Sequence, residues 1–159
     1  MEFFTIGVYN STEEEFFNKL VDNRIDTFCD IRQRRGVRGS KYSFVNSTRL
    51  QQRLESLGIK YAHIVDLAPT TEIRDLQKQT DLEKGELKTQ RQELGQVFVG
   101  EYKHRILSRF NYDSFFENLD RAGASRVVLF CVEEEAKACH RSIVATDLME
   151  RFHYHVKHL

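Results

Sequence analysis

The residues most able to do chemistry in this chain are the adjacent thiol, imidazole and guanidinium of Cys139-His140-Arg141. An apolar-periodic run over 143–152 predicts a helix directly after them, and the apolar run 127–133 predicts a buried strand before them. Cys139 is therefore expected at a helix N-terminus. Free backbone N–H groups and the positive end of the helix dipole favour an anion or a thiolate at such a position.

The position of this motif suggests a role for each side chain. We expect Cys139 to be a nucleophile or an anion-stabilised thiol, His140 to assist catalysis and Arg141 to hold an anionic group. The alternative for Cys139 is burial as a small hydrophobic residue under the helix. Cys131 lies inside the apolar strand and is predicted to belong to the core, so Cys139 should be alkylated faster than Cys131.

Glu133 is a candidate acid or base because it ends the predicted strand and begins a run of three glutamates. Repulsion between neighbouring carboxylates raises a carboxyl pKa, so one member of the run is expected to stay protonated and act as an acid. Glu134 and Glu135 are expected to be solvated loop carboxylates.

A second reactive set is Asp30-Ile31-Arg32, which ends another apolar run of strand type. We expect Asp30 to orient Arg32 or to act as a base. The guanidinium groups of Arg32 and Arg35 are expected to bind an anionic substrate, because an arginine fork matches the oxygens of phosphate and carboxylate.

The basic loop Arg32–Lys41, with the aromatic residues Tyr42 and Phe44 after it, supports more than one interpretation. It could recognise phosphate or carboxylate on a small substrate, or it could contact nucleic acid as part of a binding module, since aromatic rings stack on bases. A solvated surface loop is the third interpretation. Basic and acidic residues are balanced at 24 each, which favours the small substrate over nucleic acid.

Cys131, Cys139 and His140 could supply zinc ligands, with Asp30 or Glu133 completing the set. No C-x-x-C or H-x-x-x-H spacing supports it, and adjacent Cys139 and His140 are expected to point in different directions. We therefore predict no metal and no cofactor. A tyrosine-phosphatase loop built on Cys131 or Cys139 is not supported, because residue 137 is a lysine and residue 145 an alanine where that loop needs an arginine.

Strand-like and helix-like segments alternate along the chain, which is typical of an α/β fold. A capping box of Thr12 with Glu15 predicts the first helix, and Ser114 with Glu117 predicts a later one ending at Gly123. The predicted strands are 3–8, 26–32, 60–67, 127–133 and 153–159; the predicted helices begin near 12, 46, 98, 114 and 139.

Such alternation predicts a three-layer fold with a mostly parallel five-stranded sheet and helices on both faces. In open parallel sheets, ligands bind outside the carboxyl ends of the strands. Tyr9 and Asn10 follow the first predicted strand, so we expect them beside the other candidate residues as substrate-binding groups.

The polar segment 70–96 interrupts this pattern, with leucines thinly spaced among charged residues and Gly85 in the middle. Its composition fits a pair of exposed helices with solvated charges. A mobile cover over a pocket is the other interpretation. Either way, the segment is predicted to be a helical insert in one domain spanning 1–159.

Composition places the chain in the cytoplasm as a default expectation. No apolar run approaches the roughly 20 residues that span a bilayer, and the first residues lack the basic start of a secretory signal. Three cysteines are too few for a disulfide framework and suit a reducing compartment. No membrane partner is expected, and the oligomeric state is left open.

Several segments together carry a resemblance to a known family: Thr5-Ile6-Gly7, Asp30-Ile31-Arg32, 57–63, Cys131-x-Glu133, Cys139-His140-Arg141-Ser142 and 156–159. The chain resembles the family called domain of unknown function 488 over almost its whole length. Leu67-Ala68-Pro69-Thr70 is similar to a variant with a Leu-Ala-Pro turn and a charged helical insert. The resemblance implies a compact α/β fold with a suspected site and no settled reaction. Many members have His-Ser where this chain has Val8-Tyr9, so a role for that histidine does not carry over.

The combined expectation is an enzyme with an anion-recognising pocket at the carboxyl edge of the sheet. The reaction class would be a cysteine-dependent transferase or hydrolase acting on a small substrate that bears phosphate or carboxylate. A nucleic-acid-binding module that uses Arg32–Lys41 is the alternative. The candidate catalytic residues are Cys139, Glu133, Asp30 and His140; the candidate substrate-binding residues are Arg32, Arg141, Arg35, Tyr9 and Asn10.

Overall fold

The computed structural model describes residues 1–88 and 90–159 and contains one five-stranded sheet. All of its paired strands are parallel, in the order β3-β2-β4-β1-β5. The strands are β1 (Glu2–Ile6), β2 (Thr27–Asp30), β3 (Lys60–His63), β4 (Arg126–Phe130) and β5 (Val156–His158). The helices are α1 (Glu13–Asp22), α2 (Ser47–Ser56), α3 (Thr71–Lys84), α4 (Gln96–Arg105), α5 (Tyr112–Arg121) and α6 (His140–Phe152).

Helices cover both faces of the sheet. The alternation of side chains along the strands shows that α1 and α5 pack on opposite faces. Phe28 and Phe130 lie on one face and contact Phe16 of α1 at ring-centroid distances of 6.4 and 5.5 Å. Phe3, on the other face because side chains alternate along a strand, contacts Phe115 of α5 at 6.4 Å. The predicted three-layer α/β fold is confirmed.

The ends of the helices follow local capping chemistry. The predicted capping box of Thr12 and Glu15 is present at α1, with reciprocal hydrogen bonds between the side chains and the backbone. Cys139 is the N-cap residue of α6, as the sequence predicts. The helix α5 begins two residues earlier than Ser114, because the Asn111 side chain caps it by accepting from the Ser114 N–H at 3.0 Å.

All five strands are shorter than the sequence predicts, and the difference is largest for the third and the last. The prediction 60–67 ends at His63, because the chain turns into a 3₁₀ turn at Val65–Leu67. The strand predicted over 153–159 is only Val156–His158, because His153 adopts a left-handed conformation (φ 57°) that ends α6.

The polar insert contains one helix rather than a pair of exposed helices. Within 86–95, the described residues form turns and irregular chain between α3 and α4. The helix α3 buries Gln77 and Asp81 beside Ile73, whereas Leu82 is 81% exposed. Two polar residues of α3 therefore face the interior, whereas the apolar Leu82 faces the solvent.

No helix in the described part of the chain is both long enough and apolar enough to cross a bilayer.

Candidate functional site

Two cysteines and a histidine meet where β4 ends and α6 begins. Cys131 directly follows β4, Cys139 is the N-cap residue of α6 and His140 is its first residue. One ligand atom from each lies within 4.8 Å of the others, and all three side chains are buried. Cys131 belongs to the buried core, as expected, and it also lines a cavity together with Cys139 and His140.

The orientation of His140 is set by a main-chain carbonyl. Its Nε2 lies 3.0 Å from the oxygen of Ile31, which can only accept a hydrogen bond, so Nε2 carries the proton. In the neutral ring, Nδ1 then presents a lone pair to Cys139 Sγ at 3.6 Å. The expectation that Cys139 and His140 point in different directions is wrong.

Burial and the neighbouring groups act in opposite directions on this cluster. Burial lowers the pKa of His140, but Cys131, Glu133 and the Ile31 carbonyl outweigh it and raise the pKa above its ordinary value. The pKa of Cys131 is raised well above the usual range by its hydrogen bond with Cys139, by burial and by Glu133. Cys131 is therefore a thiol, and its S–H donates to Glu133 Oε2 at 3.2 Å.

Glu133 is a buried carboxylate held by two cations. Burial would raise its pKa, but Lys88, the Cys139 thiol and Arg91 outweigh burial and lower the pKa to about 2. Lys88 Nζ and Arg91 NH2 each lie 3.3 Å from Glu133 Oε1. The role of a protonated acid does not fit this charge state, because Lys88 and Arg91 favour the ionised carboxylate.

Asp30 and Arg32 form a buried pair at the end of β2. Arg32 donates from Nε and NH2 to the two carboxylate oxygens at 2.8 and 2.7 Å, and Tyr61 donates to the same carboxylate at 3.0 Å. Arg32 also donates to the carbonyl of Val45. Its NH1 group has no hydrogen-bond partner among the described residues, and Arg32 lines the cavity. Asp30 thus orients Arg32 and is fully buried behind it.

Arg141 does not share the cavity with Arg32 in the described residues. Its guanidinium is buried and donates to the main-chain carbonyls of Glu133 and Glu134. Gly7 makes this close approach feasible, because a Cβ there would collide with the Glu133 carbonyl. The geometry gives Arg141 a backbone-positioning role in place of the expected contact with an anion.

The remaining candidates divide between the cavity and its surroundings. Tyr9 lines the cavity and packs against Tyr42 at a ring-centroid distance of 5.2 Å. Asn10 is outside the described lining and donates from its backbone to the Tyr42 hydroxyl at 2.9 Å. Arg35 also lies outside it, and a hydrogen bond to Tyr61 raises the pKa of its guanidinium.

The insert supplies functional candidates that the sequence did not indicate. Arg91 is 7% exposed, pairs with Asp81 at 2.8 Å and donates to the carbonyl of Ala138 at 2.8 and 3.1 Å. Lys88 and Gln77 line the cavity beside it. The only available signal was the helical spacing of Ile73, Gln77 and Asp81, in which two polar residues resemble a solvated face.

These residues enclose a cavity of about 530 Å³, a volume typical of small-molecule sites. The insert therefore lines a pocket, whereas the mobility that the second interpretation of 70–96 also expected stays a prediction. Among the described lining residues, seven are Arg or Lys and two are Asp or Glu. The basic members are Arg32, Arg34, Arg38, Arg74, Lys78, Lys88 and Arg91.

The model of the family described as domain of unknown function DUF488 matches residues 12–148. The chain belongs to this family. The DUF488 match includes β2, β3, β4 and most of α6, and thus nearly all of the cavity lining. Comparison with curated proteins and with solved structures gives no significant match.

Proposed function

We propose that this DUF488 protein is an enzyme that acts on a small anionic substrate bound in the cavity at the carboxyl edge of the sheet. The observation that supports this most directly is the contact between Cys139 and His140 in the wall of a predominantly basic cavity. A thiol beside an imidazole is a nucleophile with its base, and cations favour an anionic ligand.

The anion would be held by guanidinium groups whose N–H donors are not all used within the protein. Arg32 is fixed by Asp30, yet its buried NH1 has no partner among the described residues. A phosphate or carboxylate oxygen placed there would satisfy this donor. Arg34 and Arg38 extend the same wall from the basic loop, which lies along the cavity rather than away from it.

The reaction would be transfer or hydrolysis through Cys139. The thiol proton passes to Nδ1 of His140, and the sulfur forms a bond to the electrophilic carbon or phosphorus of the substrate. The leaving group departs with the bonding electrons and takes the proton from His140. The Ile31 carbonyl stabilises the imidazolium between these steps. Water or an acceptor then attacks the intermediate and gives its proton to Nδ1 of His140, while the bond to sulfur breaks and Cys139 leaves as a thiolate. His140 returns this proton to Cys139, and the ionised Glu133 favours the imidazolium in both halves of the cycle.

Alkylation with two reagents tests both the nucleophile and the anion preference. Anionic iodoacetate should modify Cys139 faster, relative to neutral iodoacetamide, in the native protein than in denaturant. Arg38→Gln and Arg74→Gln remove lining cations and should each lower this ratio by about threefold. Arg121→Gln removes an exposed cation of α5 outside the described lining and is the matched control.

Mass spectrometry locates the modified cysteine. Resistance of Cys139 to both reagents until denaturation would remove it as the nucleophile. An unchanged ratio in the two lining variants would remove the anion preference.

The nucleic-acid-binding module remains the alternative partner class, through Arg34, Arg38 and Lys41. Filter binding at low and high salt tests it, since phosphate contacts make affinity fall steeply with salt.

We also propose a cytoplasmic location for the enzyme. Reducing conditions there would keep its three free cysteines as thiols.

A further inference from the structure

We propose that Cys131, Cys139 and His140 form a binding site for a soft divalent cation, with Zn²⁺ as the best match. Thiolate sulfur and imidazole nitrogen are the ligands that Zn²⁺ prefers. The three ligand atoms lie within 4.8 Å of one another although Cys131 is eight positions before Cys139. The proposal does not rest on the proposed reaction, which uses Cys139 Sγ and His140 Nδ1 in the metal-free protein; a bound ion would occupy both atoms and stop that reaction.

The distance between the ligand atoms of Cys139 and His140 matches the size of the ion. Zn–S and Zn–N bonds of about 2.3 and 2.0 Å in a tetrahedron put sulfur and nitrogen about 3.5 Å apart. Cys139 Sγ and His140 Nδ1 are 3.6 Å apart. Both atoms can therefore bind one ion with only a small adjustment.

The surroundings orient the histidine as metal-binding histidines are usually oriented. Its second nitrogen donates to a main-chain carbonyl, that of Ile31, which leaves the Nδ1 lone pair for the ion. The thiol protons of Cys131 and Cys139 would be released to water on binding, which makes the affinity rise with pH.

The fourth coordination position would remain accessible. All three ligand residues line the cavity, and Glu133, whose Oε2 lies 3.2 Å from Cys131 Sγ, is held through Oε1 by Lys88 and Arg91. Three protein ligands with an accessible fourth position are typical of reactive zinc sites rather than of closed structural ones. Water or an anionic group from the cavity would occupy that position.

Titration with Co²⁺ as a spectroscopic substitute for Zn²⁺ tests the site. We expect a sulfur-to-cobalt charge-transfer band at one equivalent, with the intensity of two thiolates. Cys131→Ser and Cys139→Ser should each reduce the band to about half or abolish it, since each removes one soft ligand. Cys29→Ser is the matched control, because Cys29 is a buried free cysteine in β2 outside the cluster.

A measurement on the native chain covers the case in which a variant does not fold. Zn²⁺ should slow iodoacetamide modification of Cys139 at least tenfold, whereas Mg²⁺, which prefers oxygen ligands, should not. Absence of a charge-transfer band, or a band unchanged in both cluster variants, would overturn the proposal. Neither result would alter the preference for iodoacetate in metal-free protein, so failure of the metal site is distinguishable from failure of the anion site.

Discussion

One wall of the cavity, the sheet wall at the strand ends, contains the buried Arg32, and the other, the insert wall, contains the buried Arg91. The two arginines differ in how far away in the sequence their partners lie. Arg32 takes both carboxylate contacts from Asp30, two residues away on the same strand end. Arg91 takes its contacts from Asp81 and Glu133, which are 10 and 42 residues away. The sheet wall is therefore held by a local pair on a rigid strand, whereas the insert wall depends on long-range docking.

This difference teaches that polar composition does not by itself mark a solvated segment. The insert buries charged and amide side chains toward the cavity and leaves Leu82 and Leu87 exposed. A buried ion pair is costly unless every partner is present, so the insert should open more easily than the sheet. The predictions below test this contrast.

The largest effect is expected from Asp30→Ala in the sheet wall. The change leaves the buried Arg32 guanidinium without its carboxylate and should lower the free energy of unfolding by about 3–5 kcal/mol. Urea denaturation measures the loss. Asp75→Ala, which removes an exposed pair with Lys78, should cause no measurable change. A cost for Asp30→Ala similar to that of the control would show that the local pair does not stabilise the wall.

A smaller effect is expected from Arg91→Met in the insert wall. Loss of the contacts to Asp81 and Glu133 should lower the free energy of local opening by about 2–3 kcal/mol. Hydrogen exchange should then accelerate in α3 while β1, β2 and β4 keep their protection. Lys78→Met changes an exposed residue within α3 itself and serves as the control. Equal loss of protection in the sheet would show that the two walls open as one unit.

Gly7→Ala probes Glu133, where the two walls meet. The added Cβ at position 7 would collide with the Glu133 carbonyl and displace the loop held by Arg141 and Arg91. This should lower the free energy of unfolding by about 1–3 kcal/mol. Gly100→Ala is the matched substitution in the exposed face of α4, where a Cβ meets nothing within 4 Å. It should stabilise by about 0.5–1 kcal/mol, and a thermal melt can compare the two. Equal effects from both would argue against the close approach.

The smallest effect concerns His158, at the end of β5 and away from both walls. Burial and the charge of Arg141 lower its pKa below the ordinary value of 6.5. Because the unfolded state then binds the proton more readily, this residue should reduce stability as pH falls below about 6.5 and contribute nothing to pH dependence above it. An NMR titration of the imidazole checks the direction, and a measured pKa at or above 6.5 would contradict it.

Much of the fold could be predicted because its signals are local. The apolar runs around Phe28 and Val128 predict buried strands, and Thr12 with Glu15 predicts the start of α1. The strand ends were extended too far, since the residues after His63 remain apolar although the chain turns away from the sheet. Hydrophobicity indicates burial, but it does not indicate where hydrogen bonding between strands stops.

The candidate site was predicted only in part. Placement of Arg32, Glu133, Cys139 and His140 at one edge follows from a parallel sheet, because each lies just after a strand or at the start of a helix. The different position of Arg141 could not be anticipated, since a neighbour in sequence points elsewhere once the helix forms. The buried polar face of the insert could not be predicted either, because Arg91 contacts Asp81 and Glu133 only when α3 docks.

The sequence by itself determined the alternation of strands and helices, the capping of α1 and the position of Cys139 at the start of α6. These depend on residues a few positions apart, whose preferences act before any long-range contact forms. Only the tertiary structure decided that Cys131 joins Cys139 and His140, that Glu133 is ionised between Lys88 and Arg91, and that a polar segment covers the cavity. Those features require segments tens of residues apart to meet, and a buried charge is stable only when its distant partners are in place.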